Sequence, residues 1–516
     1  MKLHRRMFLS TVALGAAGFN LPARAAGSKP NLRVGILSDV HVTAVSNAEW
    51  FEKALRYFDS IKVDGVLITG DLTTWNKKKE FEAVAATWYK VFPGDRRSDG
   101  EHVEKLFLTG NHDVDGWAYD GARFKNREEA EPESFFFHRE AFWKELFHED
   151  YKPIVVKELK GYTFILRNWM SLLESEHQGM AKGVKNEQTP IVDVLAQLGD
   201  AKLRAGKPFF YAQHEQLDDT VNATWLIRGA KWDNGQIPSV TRDCLSKYPN
   251  CIAFSGHSHN SLTDERSIWQ GAFTAVNCSC ARGYAFTPPG RENGFACPDF
   301  NRTPPFEMDK FDHQSVRQGM VMEVFDDRIT FAKREFTYDQ VLADDWVVPL
   351  YAGGAAVPPT GTPKYDFKTR AAAAKAPVFA KGAKVSVAYV KEGYRRTVAG
   401  MGGLDRKNPH PQLKVAFPPI TRKGSPSRAF EFRVVCEAQD ADMVRVVEER
   451  RVFSPNAYQA ETRDVAPCSC NFPVSNLQTS GVIRFVVFPI DCWGNEGAPV
   501  KSAWKNLKAW CADGGR

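Results

Sequence analysis

Five short apolar runs punctuate the first half of the chain, and each one ends on residues rich in heteroatoms. Leu32 to Leu37 runs into Asp39 and His41. Gly65 to Thr69 runs into Gly70 and Asp71. Leu106 to Leu108 leads through Thr109 and Gly110 to Asn111, His112 and Asp113. Phe209 to Gln213 ends on His214, and Ile252 to Ser255 ends on Gly256, His257, Ser258 and His259. Short apolar runs bounded by turn residues predict buried strands. Between the first two, Trp50, Phe51, Ala54, Leu55 and Phe58 recur at helical spacing, as do Phe81, Val84, Ala85 and Trp88 after Asp71. Strands alternating with helices predict a layered α/β domain whose functional residues cluster at the carboxyl ends of strands.

The pattern then changes. From Asp115 to about Lys160 the chain is polar and aromatic, an insertion with helical parts expected to overhang the strand ends. Ile154 to Leu159 and Tyr162 to Leu166 predict a hairpin across Lys160-Gly161. A Pro- and Gly-rich segment, Cys278 to Phe311, precedes a second predicted hairpin, Gly319 to Phe325 and Arg328 to Arg334. Residues 341–380, with a Gly/Pro-rich stretch from Gly353 and the alanines 371–374, are expected to be a linker. Beyond it, Lys384 to Val390, Ala429 to Cys436, Met443 to Phe453 and Val482 to Pro489 predict a smaller all-β sandwich of fibronectin or immunoglobulin type over 381–516.

Length is consistent with this division, since 516 residues exceed one ordinary core. Met1 to Arg6 is basic, Met7 to Leu21 is nearly uncharged, and Ala23-Arg24-Ala25 offers a small-residue cleavage site, which predicts an export signal over residues 1–25. His4-Arg5-Arg6-Met7-Phe8-Leu9 resembles a twin-arginine signal, although His4 stands where a serine or threonine is usual. A periplasmic or secreted mature chain is therefore expected, with no later run long enough to span a bilayer. Lys2, Arg5, Arg6 and Arg24 lie in the signal, so the formal charge of +6 falls to +2 after its removal. Near neutrality argues against a nucleic-acid partner. The ten cysteines show no disulfide-framework spacing, and the two Cys-Ser-Cys triplets lack the usual zinc spacing.

Chemistry follows from the strand-end residues. Carboxylates at Asp39 and Asp71, the Asn111 amide and the imidazoles of His41, His214, His257 and His259 make a mixed nitrogen and oxygen donor set. Such donors suit Mn, Fe, Zn or Co rather than Mg or Ca. Each motif alone is common in structural turns; their joint occurrence, each after an apolar run, points to a metal centre.

The set Asp39-x-His41, Gly70-Asp71, Gly110-Asn-His-Asp113, His214 and Gly256-His-x-His259 resembles the calcineurin-like metallophosphoesterase family over about residues 30–340. The resemblance implies a four-layer sandwich of two mixed β-sheets flanked by helices. It implies a binuclear centre, with Asp39, His41, Asp71 and His259 at the first metal and Asp71, Asn111, His214 and His257 at the second. It implies hydrolysis of a phosphodiester, or a phosphomonoester, by a metal-bound hydroxide, with His112 as general acid and Asp113 orienting its ring. Thr74 stands where purple acid phosphatases carry tyrosine, and the β-rich region follows the catalytic one rather than preceding it. Trp117, Tyr119, Phe136, His138, Arg167 and His177 are candidate contacts to a small phosphate-ester substrate. The β-rich region is expected to brace the catalytic domain, with contact to envelope glycan as the alternative. A non-catalytic metal-binding scaffold is the competing function; a nuclease is disfavoured by charge.

Overall fold

The computed structural model describes residues 29–512 except 44–45, 120–123, 170–183, 205, 223, 225–239, 283–305, 308–316, 397–403, 421, 442, 455–456 and 461–466. The proposed signal and His177 lie outside the described residues. Among the described residues no helix is long and apolar enough to cross a membrane.

Strands β1 (Leu32–Leu37), β2 (Gly65–Thr69) and β3 (Glu104–Leu108) pair in parallel, as the apolar runs predict. Helices α1 (Ala48–Ser60) and α2 (Lys78–Val91) connect them. A second sheet holds β4 (Ile154–Leu159), β5 (Tyr162–Arg167), β6 (Phe209–Ala212), β7 (Cys251–Ser255), β8 (Ile268–Gln270) and β9 (Thr274–Asn277), in the order β4-β5-β6-β7-β9-β8. Its four central strands are parallel and its outer pairs antiparallel. After β10 (Phe306–Glu307), the chain completes the first sheet with β11 (Gln318–Val324), β12 (Arg328–Glu335), β13 (Gln340–Val341) and β14 (Trp346–Pro349), β11 pairing antiparallel with β1.

Alternation along each strand builds the layers. Leu32, Val34, Ile36, Leu67, Leu106 and Leu108 turn inward against Phe164, Phe210, Ile252, Phe254 and Val276 of the other sheet. The opposite face of the first sheet, with Val66, Ile68 and Phe107, packs on Phe51, Leu55, Phe58, Phe81 and Trp88 of α1 and α2. Ile165, Phe209 and Tyr211 of the second sheet pack on Ile191, Leu195 and Leu245 from helices Val184–Leu203 and Val240–Leu245. Helix, sheet, sheet and helix make four layers, as expected.

The span 341–380 corrects the linker expectation. Trp346–Pro349 pairs with β12, and Ala371 to Ala373 belong to a helix, Phe367–Ala373, capped by the Asp366 carboxylate, which accepts from Thr369 N at 2.7 Å. Alanine favours helix once a cap is supplied, so a low-complexity run here is structured. Further on, β15 (Ser386–Arg396), β16 (Leu404–Phe417) and β19 (Cys468–Pro473) form one sheet. Strands β17 (Glu431–Asp440), β18 (Met443–Phe453), β20 (Val482–Ile490), β21 (Val500–Lys501) and β22 (Lys505–Asn506) join β10 in another. Leu413, Val415, Phe417 and Phe472 of the first face Phe432, Val434, Phe485 and Val487 of the second. That is a sandwich-like core.

Phe164 is fully buried between the two large sheets, its ring 4.7 Å from Phe210. Phe164→Ala is expected to cost about 3–5 kcal/mol, read as a lower urea midpoint at unchanged slope.

Candidate metal centre

The predicted ligands meet where the parallel strands of the two sheets end. Just past each strand the backbone turns sharply. Asp39, His41, Asp71, His257 and His259 have φ of 49°, 49°, 52°, 64° and 55°, the left-handed region that non-glycine residues rarely occupy. Backbone bonds fix these turns: Asp39 N donates to Gly70 O at 3.0 Å, His41 N to Asp71 O at 2.9 Å and Gly256 N to His214 O at 2.8 Å. Glycine is required beside two of them. A Cβ on Gly110 would lie 2.3 Å from Asp71 Oδ1, and one on Gly256 would lie 1.8 Å from Ser38 Oγ.

Asp39, His41, Asp71 and His259 place donor atoms within 4.8 Å of one another. His259 Nε2 lies 2.8 Å from Asp39 Oδ1, and His41 Nε2 lies 3.5 Å from Asp71 Oδ2. Both carboxylates are buried, and Asp39 Oδ2 accepts from Ser38 Oγ at 2.5 Å and His257 N at 2.9 Å. His41 decides what this cluster is for. Its ring is fully buried and neither nitrogen has a hydrogen-bond partner. An orphaned buried imidazole is costly, and a cation between these donors satisfies it. Burial pushes its pKa well below the ordinary value, which favours the neutral form that ligates metal.

A second group adjoins the first. Asn111 Oδ1 lies 3.0 Å from His214 Nε2 and 3.1 Å from His257 Nδ1, and His214 Nε2 lies 3.3 Å from Asp71 Oδ2. His214 Nδ1 donates to Thr69 O at 2.8 Å, which leaves Nε2 to face the cluster. Burial opposes a charge on His214, yet the Asp71 and Asp39 carboxylates hold its pKa up to about 10. Burial, reinforced by the neighbouring His214, pushes His257 down to about 4. Asp71 touches both groups. All seven predicted ligands therefore come together, in a donor set that fits two cations.

His112 stands at the edge of this centre, its ring 4.7 Å from that of His41. Its main-chain N donates to Asp71 Oδ1 at 2.8 Å, and its Nδ1 donates to Thr74 O at 2.9 Å. Asp113 does not orient the ring, contrary to the expectation from the motif. Its buried carboxylate accepts instead from Leu72 N, Thr73 N, Thr73 Oγ1 and Gly110 N at 3.0, 2.7, 2.8 and 2.9 Å. Burial and the nearby Asp71 charge push its pKa up to about 7 against those bonds. Its short helix, Asn111–Val114, turns residue 113 away from residue 112. Asp113 shapes the loop that carries the ligands.

Of the other candidates, Tyr119 reaches the centre: its hydroxyl accepts from Asn111 Nδ2 at 2.9 Å, and its ring lies edge-on to His112 at 4.9 Å. Trp117 and Phe136 stack on each other at 6.2 Å, His138 Nε2 contacts Glu131 O at 3.0 Å, and Arg167 Nη1 donates to Gln213 Oε1 at 3.4 Å. In none of these contacts is the partner one of the seven candidate ligands.

Three residues that the sequence did not single out do bear on the centre. Trp75 lies 6.4 Å from His112, and Trp169 lies 6.1 Å from His214 and 6.4 Å from His257. Arg282 is the third. Its loop is tied by Ala281 N donating to Ser38 O at 2.9 Å, and its charge acts on His41 while Asp71 and Asp39 act on it. No spacing marks these three, because each arrives from a different loop.

The family model of calcineurin-like phosphoesterases matches residues 32–261. Residues 32–261 are a calcineurin-like phosphoesterase domain. Among solved structures the chain is similar to a dimetal phosphatase from Danio rerio, at 10% identity and TM-score 0.38, over 62% of this chain and 99% of that one. It is similar to a purple acid phosphatase from yellow lupin at 14% identity and TM-score 0.38, over 62% of this chain and 54% of that one. GAP50 of Plasmodium matches at 11% identity and TM-score 0.33, over 65% of this chain and 98% of that one. No curated protein matches the chain.

The placement of Asp113 in this phosphoesterase domain has a testable consequence. Asp113→Asn turns two acceptor oxygens into one and sets an NH2 group against backbone donors, which is expected to cost about 1–3 kcal/mol. The Nδ1–H tautomer of His112 should persist, since Thr74 O holds it. Denaturation and imidazole nitrogen NMR check the two halves, and a changed tautomer would return the orienting role to Asp113.

Proposed function

We propose that the chain is an exported, metal-dependent phosphoesterase acting on a phosphodiester. Asp39, His41, Asp71 and His259 would hold one cation and Asp71, Asn111, His214 and His257 the other, with Asp71 shared. Such cations, when bound, neutralise charge on phosphoryl oxygens and make a water nucleophilic at neutral pH. The remaining chemistry belongs to the chain.

The observation that carries this reading is the attitude of His112. A carbonyl can only accept, so the bond from Nδ1 to Thr74 O puts a proton on Nδ1 and leaves Nε2 to exchange one with substrate. Beside the ligand cluster, Nε2 of the imidazolium can donate to a departing oxygen. An alkoxide leaving from a diester needs that proton more than a stabilised leaving group does. The Arg282 charge acts on His41, Asp71 and Asp39 of the same centre, which suits an anionic ester.

His112→Ala is expected to lower kcat by about 10²–10⁴-fold toward an alkyl phosphodiester, with metal content unchanged by elemental analysis. The loss should be smaller for bis-p-nitrophenyl phosphate, whose leaving group needs less protonation. Refilling metal-depleted protein with Mn, Fe, Zn or Co and comparing that diester with p-nitrophenyl phosphate tests the ester class. Stoichiometric metal without turnover of any ester would instead favour a scaffold.

Export rests on residues 1–25. A reporter fused to this segment should leave the cytoplasm and should stay inside with Arg5→Lys and Arg6→Lys together; continued export of the double variant would point to a general secretory signal. We assign the C-terminal β-region a bracing role. Gln318 Nε2 donates to Tyr458 O at 2.7 Å, and Thr263 Oγ1 donates to Ala457 O.

A further inference from the structure

The aromatic residues around the metal centre are not distributed evenly. Trp75 and Tyr119 stand against His112, the residue read above as serving the leaving group. Trp169 stands against His257 and His214, and its plane lies within 28° of the His257 ring. It is half-buried, and both ends are fixed. Its backbone N donates to Thr109 O at 3.1 Å, and its indole Nε1 donates at 2.8 Å to the buried Asp115 carboxylate. The preceding residue, Asn168, accepts from Thr109 N at 2.8 Å and donates to Lys152 O at 2.7 Å. An indole locked this way presents a flat surface with little ordering cost on binding.

We propose that Trp169 is a specificity residue selecting phosphodiesters whose retained substituent carries a planar aromatic ring, a reading that rests on the phosphodiesterase function above. With the leaving alcohol directed to His112, the retained group of an ester held at the ligand cluster falls toward His257 and Trp169. An indole face attracts either a π-ring or a cation. The donors themselves carry two carboxylates, but cations held by them would, when bound and together with the Arg282 charge that acts on Asp39 and Asp71, make this place positive and disfavour a quaternary ammonium substituent. A neutral flat ring, from an aryl alcohol or from a nucleobase, remains as the ligand chemistry.

The test uses four esters with one common leaving group, p-nitrophenol. The retained alcohols are benzyl, cyclohexylmethyl, the 5′-hydroxyl of thymidine, and choline. Stacking of one ring on an aromatic side chain predicts that the benzyl ester exceeds the cyclohexylmethyl ester about tenfold in kcat/KM, mainly through KM. The thymidine ester separates the two sources of the ring: a further gain identifies a nucleobase, and none identifies a simple aryl group. Trp169→Ala should bring the benzyl-to-cyclohexylmethyl ratio to about one, and Trp169→Phe should restore most of it. Equal rates for benzyl and cyclohexylmethyl esters in the unaltered protein would overturn the proposal, as would preference for the choline ester or an unchanged ratio in Trp169→Ala. Turnover of the cyclohexylmethyl ester shows that the phosphodiesterase reading survives such a failure; no turnover of any ester by the metal-loaded protein defeats both.

Discussion

The centre depends on one backbone constraint: five ligand-bearing residues must hold left-handed φ at once. A strand carries its side chains above and below the sheet, not over its end. Reversing the chain within a residue or two of each strand end is what points Asp39, His41, Asp71, His257 and His259 at a common place. Each such residue costs on the order of 1 kcal/mol or more. The cost persists because the surroundings leave no alternative. The turns bond to one another through backbone groups, the strands behind them are locked by a buried inter-sheet core, and Gly110 and Gly256 sit where a methyl group would collide with Asp71 and Ser38. Two buried carboxylates and a buried imidazole with no hydrogen bond add to the cost. Cation binding recovers part of that outlay, so stability and metal affinity are coupled in this domain.

What the sequence showed and what it hid follow from the same geometry. The strands and the meeting of all seven candidate ligands were legible because each apolar run is local and each candidate lies within four residues of its end. The donor set could be read without knowing any distance. The role of Asp113 could not. Its partners belong to residues 72, 73 and 110, and only the crossing of two loops decides whether it faces them or His112. Arg282, Trp75 and Trp169 were invisible for a related reason: single residues on irregular loops carry no periodicity. The aromatic run at Phe135 to Phe137 misled in the opposite direction. Its rings mostly satisfy one another and Phe81, Trp117 and Trp143, the common fate of clustered aromatics.

Gln318 shows how the C-terminal region can matter to the centre without reaching it. This fully buried amide opens β11. Its Oε1 accepts from Leu262 N at 2.9 Å, Ser261 Oγ at 3.1 Å and Ser279 Oγ at 3.2 Å, and its backbone N donates to Cys280 O at 2.9 Å. The first two hold the turn that follows His259, and the last two hold the segment that leads to Arg282. Its Nε2 donates to Tyr458 O, from the β-rich half of the chain. One side chain thus joins the segment behind a metal ligand, the segment carrying the added cation and the backbone of the other half. A buried amide whose partners are partly removed leaves polar groups unpaired in a low-dielectric place. The bonds to Tyr458 and Ala457 therefore tie the β-rich region to the two segments that lead away from His259 and toward Arg282, so disturbing that region would be felt at these two residues before the His112 ring.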